Sequence, residues 1–383
     1  MTEQIYYTNP CCKSFDAIVL SCESHDKDSW EVVLNRTAFY PEGGGQPGDI
    51  GTINGIPVTD THIKNDTIVH YMLQPLEVGT EVHGEIDWEY RFDLMQNHSG
   101  EHIVSGIIHA DNHANNVGFH MGTDTITVDV DQPVTVEKLR EYEMLANIAV
   151  WKNIATEITY PDAETLKTLQ YRSKKELSGD VRIVTFPGYD TCACCALHVQ
   201  HTGEIGLIKL ISVQKHKSGS RIEMLCGRRA MEYVNTIEQQ NHKISVALSA
   251  KPFETANAVT RLKEETAQIT MQFNDMESAV FEQKAADLAH QGNVLLFENN
   301  LTPFRVRKLA AAVMETCDGR CAVFSGDDEH GYKYTIGEKN GDVRTLVKEV
   351  NNHLNGRGGG KPFLAQGSVA ATQHEIELFF ANK

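Results

Sequence analysis

Apolar positions change their period several times along this chain, and each change marks a different kind of element. From Tyr6 to Tyr90, short runs of β-forming residues (Ala17–Cys22, Glu31–Leu34, Thr67–Met72) are separated by turn formers. Strands of that length and spacing predict a small N-terminal β-barrel over residues 1–90. From Arg91 to Met231 the pattern alternates. A helix carries His98 to His109, a strand follows at Thr125–Val130, and a second helix spans Val134–Trp151. Strands come next at Ala155–Thr159 and Val181–Phe186, then strand-like residues at Ile205–Gln214 and Arg221–Cys226. Residues 91–231 therefore read as one α+β domain.

Between Glu232 and His290 the only proline is Pro252 and glycine is absent, while Leu, Ala, Glu, Gln and Lys are frequent. That composition predicts a helical linker or hairpin over residues 232–291, broken near Ala250-Lys251-Pro252. The stripe Val259, Leu262, Ile269 and Phe273 suits packing on a partner helix, in a hairpin or at a homodimer seam. Residues 292–383 read as a C-terminal α/β domain. Val294–Phe297 is a strand, and Thr302-Pro303 opens a helix to about Cys317 with a cap and a first-turn proline. Strands are predicted at Ala322–Phe324 and Tyr332–Ile336, a helix after Asp342, a glycine loop over Asn355–Pro362, and a last strand at Glu375–Phe380. The fold class is α+β multidomain.

Chemistry concentrates in two motifs more than ninety residues apart, His98-Ser99-Gly100-Glu101-His102 and Cys194-Cys195-Ala196-Leu197-His198. Histidines four apart on a helix share one face, so both imidazoles reach the same point. A cysteine and a histidine from the second motif complete a tetrahedral N/S donor set of the kind zinc prefers. Chance histidine pairs are common, but Cys192, Cys194 and Cys195 lie within seven residues of His198, and such density is seldom mere packing. One zinc ion per chain is expected. Ser105 and His109 continue the polar stripe, and Ile103, Val104, Ile107 and Ile108 supply apolar faces for burial.

Bulk properties limit the alternatives. The chain has 383 residues, 41% of them hydrophobic, enough for several cores. No apolar run is long enough for a membrane span, and Met1-Thr2-Glu3-Gln4 does not open a signal peptide. Nine cysteines, an odd number, argue for free thiols in a reducing compartment, so a cytoplasmic protein is expected. The net charge of −17 argues against DNA and requires any RNA contact to use a local patch. Lys209, Lys215, Lys217, Arg221, Arg228 and Arg229 against the single acid Glu223 offer one. Two glycine-rich segments, Gly43-Gly44-Gly45-Gln46 and Gly356–Lys361, read as tight turns or as backbone that admits a ligand.

Taken together, the histidine motif, Cys-x-x-x-His-Val followed by Thr202-Gly203-Glu204-Ile205-Gly206, and Tyr40-Pro41-Glu42-Gly43-Gly44-Gly45-Gln46-Pro47 resemble the AlaX alanyl-tRNA editing proteins. Those proteins are similar to the editing domain of alanyl-tRNA synthetase. Gly356–Pro362 with Ala365-Gln366-Gly367 resembles the DHH-associated domain that ends the long AlaX form. The resemblance runs through nearly the whole chain in the same domain order. It implies a hydrolase that removes serine, and sometimes glycine, from mischarged tRNA for alanine.

The same resemblance implies zinc on His98, His102, Cys194 and His198, with Cys195 as the alternative thiolate because Cys195-Ala196-Leu197 stands where the family commonly has Gly-Gly-Thr. Glu101, His120 and Thr123 become catalytic candidates, His120 for selecting the amino-acid side chain. Glu101 either activates water, as does the terminal ribose hydroxyl in the other version, or is an ordinary solvated helix residue. Gly43, Gly44, Gly45, Gln46 and Arg221 are candidates for the tRNA acceptor end, and Arg357, Gly359 and Lys361 for the tRNA body. Two other classes fit the residues: a zinc-stabilised RNA-binding module without turnover, which expects a closed metal site with no cavity beside it, and a metallohydrolase of small esters or amides.

Overall fold

In the computed structural model the chain divides into two compact units, residues 1–243 and 244–383, with the division inside the helix Gly227–Ala247. The structure describes residues 2–26, 28–173, 181–381 and 383.

In the first unit, six strands close on themselves: Ser14–Asp26, Ser29–Leu34, Thr67–Met72, Ile56–Lys64, Gly51–Ile53 and Glu81–Ile86, in that hydrogen-bonded order. Alternation along the last of these, exposed and buried in turn, points Val82, Gly84 and Ile86 inward. Val19, Val32, Leu34, Phe39, Ile53 and Met72 fill the interior. Closure leaves this sheet without a bare edge.

The chain leaves the ring through Asp87, whose carboxylate accepts from the Tyr90 backbone N–H at 3.0 Å and caps the helix Trp88–Asn112. The helix ends at His113, left-handed at φ +58°. From Asp93 to Ile108 it is buried almost all round, so it is a central element and not an amphipathic surface helix. Gly106 explains one close approach, because a Cβ there would lie 2.3 Å from the Tyr189 carbonyl oxygen. On one side of the helix, an antiparallel sheet runs Ile208–His216, Gly219–Cys226, Ile126–Val130, Asn116–Met121. A second sheet orders Glu157–Thr159, Ile183–Phe186 and Asp190–Ala193. Leu94, Ile103, Val104, Ile108, Val128, Leu197 and Ile222 share the core between these elements and the helix Val136–Lys152.

The second unit begins with the helix Thr255–Asp287 and carries a five-stranded sheet ordered Val294–Glu298, Arg320–Asp327, Gly331–Glu338, Leu364–Val369, Gly356–Lys361. Its first pair is parallel, joined through the helix Pro303–Met314, and the rest is antiparallel. Alternate residues of Arg320–Asp327 serve opposite cores: Ala322 and Phe324 on one face, Cys321 and Val323 on the other.

Two expectations fail here. Residues 356–361 are an edge strand and not a loop, because Gly358 and Gly360 pair with Gly367 and Ala365 with no side chain in the way. Residues 375–380 are not a strand: Gln373–Ala381 is a helix. Thr372 and Glu375 form a capping box, with Thr372 N–H donating to Glu375 Oε2 at 2.7 Å and Glu375 N–H to Thr372 Oγ1 at 3.3 Å. Ile376, Phe379 and Phe380, spaced three and four apart, then reach the core. No helix among the described residues is long and apolar enough to cross a membrane.

Candidate metal centre and its cavity

His98 and His102 project from one face of the central helix, and their rings stack at 5.3 Å between centroids. The strand Asp190–Ala193 delivers Cys194 from the other side, with its Sγ 3.5 Å from His98 Nε2. His198 closes the group, its ring 5.0 Å from that of His98 and 4.8 Å from that of His102. One donor atom from each of the four lies within 4.8 Å of every other. Around a tetrahedral ion the same donors would stand roughly 3.3–3.8 Å apart, so a small inward adjustment completes the site.

The chemistry of the four fits a metal. Both ring nitrogens of His198 and Nδ1 of His98 are buried with no hydrogen-bond partner. Leaving such atoms orphaned costs stability unless something not yet considered binds them. Burial pushes the His198 imidazole down to about 3, which keeps it neutral and able to donate a lone pair. Burial works against the Cys194 thiolate, but the surrounding His98 and His198 outweigh it and hold the thiol well below its ordinary value. Cys195 points elsewhere, with its Sγ 3.8 Å from the Tyr40 hydroxyl, so the geometry selects Cys194 of the two.

A second layer fixes these ligands. His102 Nδ1 meets Asp190 Oδ2 at 2.8 Å, and the Asp190 carboxylate takes Arg172 in a fork, Nε at 2.7 Å and a terminal nitrogen at 2.8 Å. Burial opposes charge on His102, yet the Asp190 contact prevails and raises its pKa well above normal. With Nδ1 held by Asp190, Nε2 is the nitrogen left for a metal. Sequence reasoning missed Asp190, although a signal was present: Asp190, Cys192 and Cys194 alternate through a strand and share a face.

His98, His102 and Cys194 line a cavity of about 670 Å³, and His198 is not on its lining. Glu101 faces the same space, 2% exposed, with Oε1 accepting from Ser105 Oγ at 2.5 Å and from Asn116 Nδ2. The reading as a solvated helix residue is thereby corrected. Gly44 and Gly45 bring the barrel's turn to the rim. Gly45 sits at φ +85°, and a Cβ there would lie 2.8 Å from the Phe119 ring. Gln46 is fully buried at the foot of the turn, with backbone bonds to Gly43 in both directions and no hydrogen-bond partner for its side-chain amide.

Other expected residues are not brought to the cavity. His120 lies on the exposed side of its strand, and the alternation turns Phe119 toward the cluster, 5.1 Å from the His98 ring. Thr123 is exposed in the following turn, where its carbonyl accepts from Arg229 at 3.1 Å. The basic patch is largely neutralised, mostly by acids distant in sequence. Arg221 forks onto Asp129 at 2.7 and 2.8 Å, Lys209 meets Glu143, Arg229 meets Asp93, and Arg228 approaches Glu232. In the second unit, Arg357, Gly359 and Lys361 are exposed on the edge strand.

Comparison with known proteins agrees with this geometry. Residues 2–90 match the family model of tRNA synthetases class II (A), residues 181–223 that of the threonyl and alanyl tRNA synthetase second additional domain, and residues 291–381 the DHHA1 domain. The alanyl-tRNA editing protein AlaX-L of Pyrococcus horikoshii is 30% identical, across 98% of this chain and 96% of that protein. An alanyl-tRNA editing protein of Xenopus laevis is 27% identical, across 91% of this chain and 87% of its own. The alanine–tRNA ligase of Ignicoccus hospitalis is 29% identical, across 98% of this chain and 42% of the ligase. With a candidate metal-ligand cluster beside a cavity and these domains in one chain, the protein belongs to the family of alanyl-tRNA editing proteins of the AlaX-L kind.

Proposed function

We propose that this protein hydrolyses the ester of mischarged tRNA for alanine, releasing serine and also glycine, at a zinc site formed by His98, His102, Cys194 and His198. The observation that carries the reading is that three of the four candidate ligands, His98, His102 and Cys194, line an open cavity, which a purely structural zinc site would not need. A synthetase pocket built for alanine admits glycine and rejects serine weakly, so a second hydrolytic site is the physical remedy. Zinc held there supplies a fixed positive charge beside the ester.

The chain's own groups do the rest. Glu101, anchored through Oε1 by Ser105 and Asn116, accepts the proton of the attacking water and returns it to the ribose oxygen as the ester C–O bond breaks, so the tRNA leaves with a free hydroxyl. Asp190 and Arg172 hold the His102 ring in one orientation throughout. Phe119 and the Gly44–Gly45 turn narrow the cavity and exclude bulk water from the ester. His120 and Thr123 take no part at the reacting bond, and Arg221, spent on Asp129, contributes little to RNA binding. Arg357 and Lys361 are the phosphate contacts we assign to the second unit, with Gly359 allowing close approach. The protein acts in the cytoplasm, where charged tRNA is found.

The test is deacylation of Ser-tRNA and Gly-tRNA by the full chain, with and without chelator, beside His98→Ala and Cys194→Ala. Wild type is expected to release amino acid, and both variants to lose activity and bound zinc while keeping their circular dichroism. Equal activity in all three would overturn the reading.

A further inference from the structure

We infer that Tyr160, backed by Tyr7, is the seat of the terminal adenine of the tRNA acceptor end. The inference rests on the deacylase reading above, since that reading places an adenosine ester in the cavity.

Besides the candidate metal ligands, the cavity is lined by Glu101, Phe119, Tyr7, Arg182, Gln4 and Tyr160. The base and the ester belong to one nucleoside, so the ring that receives the base must border the same cavity as the group that hydrolyses the ester. Tyr7 and Tyr160 meet that condition. Both side chains stand on the lining of the one cavity.

The two tyrosines differ in how they are held. The Tyr7 hydroxyl donates to the Cys195 carbonyl at 3.0 Å, and the Arg182 guanidinium lies 5.3 Å over its ring. Arg182 is itself fixed, donating to the carbonyls of Cys194 at 2.8 Å and Ala196 at 2.9 Å. Tyr7 is therefore rigid wall, tied to the loop that carries the metal ligands.

Tyr160 is 57% exposed, directly after the edge strand Glu157–Thr159. Pro161 follows it and restricts its backbone to extended angles, so the ring is presented from a fixed backbone. A large exposed aromatic at the mouth of a cavity whose inner wall is polar and ligating is what a base needs in order to stack. Stacking is tolerant of sequence and demands no basic field, which suits a chain of net charge −17. Gln4, whose amide both donates and accepts, lies on the same lining and can meet the edge of the base.

The experiment compares wild type with Tyr160→Ala, Tyr160→Phe and Tyr160→Trp on Ser-tRNA. Because Tyr160 is exposed, none of these changes disturbs a core. Tyr160→Ala is expected to raise KM by roughly tenfold or more with kcat within about twofold, while Phe and Trp keep wild-type KM because the ring and not the hydroxyl stacks. As a direct readout, uncharged tRNA ending in 2-aminopurine in place of adenine should lose fluorescence on binding wild type and much less on binding Tyr160→Ala. An unchanged KM and equal quenching in the alanine variant would overturn the adenine seat while leaving the deacylase reading intact. A wild-type protein that releases no amino acid would instead overturn the deacylase reading, and quenching alone would then decide the seat.

Discussion

Arg91 and Asp49 face each other with no solvent exposure on either side chain. Arg91 belongs to the helix that carries His98 and His102, and Asp49 follows the barrel's glycine turn. Besides Asp49, Arg91 donates to the carbonyl of Ala38, and Asp49 Oδ2 accepts from the Tyr40 backbone N–H at 2.5 Å. The pair thus pins the base of the turn to the helix, so Gly44 and Gly45 meet the cavity in one fixed position.

Breaking that pair from one side leaves an uncompensated buried charge. Asp49→Asn should lower unfolding free energy by about 3–5 kcal/mol, read from urea melts. A loss near the surface-pair value of about 0.5 kcal/mol would mean that water reaches Arg91.

Asp190 holds the ring of His102, a ligand in the proposed zinc site. Asp190→Asn keeps the shape but weakens the hold on Nδ1, and should reduce zinc affinity about 10–100-fold in competition with a chromophoric chelator. Unchanged affinity would show that the His102 ring is oriented by packing alone.

His70 supplies a pH dependence in the barrel. Burial pushes its imidazole down to about 4, while its two nitrogens meet Thr37 Oγ1 at 2.8 Å and the Val32 carbonyl at 3.0 Å. The unfolded chain binds a proton near pH 6.5 and the folded chain not until about 4, so this contribution is full above 6.5 and shrinks as pH falls. Across that window it amounts to roughly 3 kcal/mol. Thermal melts from pH 7 to 4.5 should fall more steeply in wild type than in His70→Gln; parallel curves would remove His70 as the cause.

The convergence of His98, His102, Cys194 and His198 was legible because each half of the cluster is local: two histidines one turn apart, and a cysteine and a histidine in one short loop. The barrel, the central helix and the strand at Val294–Glu298 followed from period alone. What closes the site was not legible. Asn116 and Phe119 reach the cluster only through sheet register, and register decides which face of a strand a residue serves. The same rule turned His120 outward. The basic run 209–229 misled because its partners Glu143, Asp129 and Asp93 lie far away in sequence. The error at residues 375–380 was avoidable, since Thr372 and Glu375 carry the spacing of a helix start.

The edge strand Gly356–Lys361 carries a row of main-chain groups with almost no side-chain cover. Such a border invites a second copy to zip on, and flanking charge is the usual deterrent. Arg357 and Lys361 therefore guard their own edge in addition to the phosphate contact proposed for them. Neutralising both to probe tRNA would be expected to cloud the sample before it weakened binding, and light scattering must accompany any such titration.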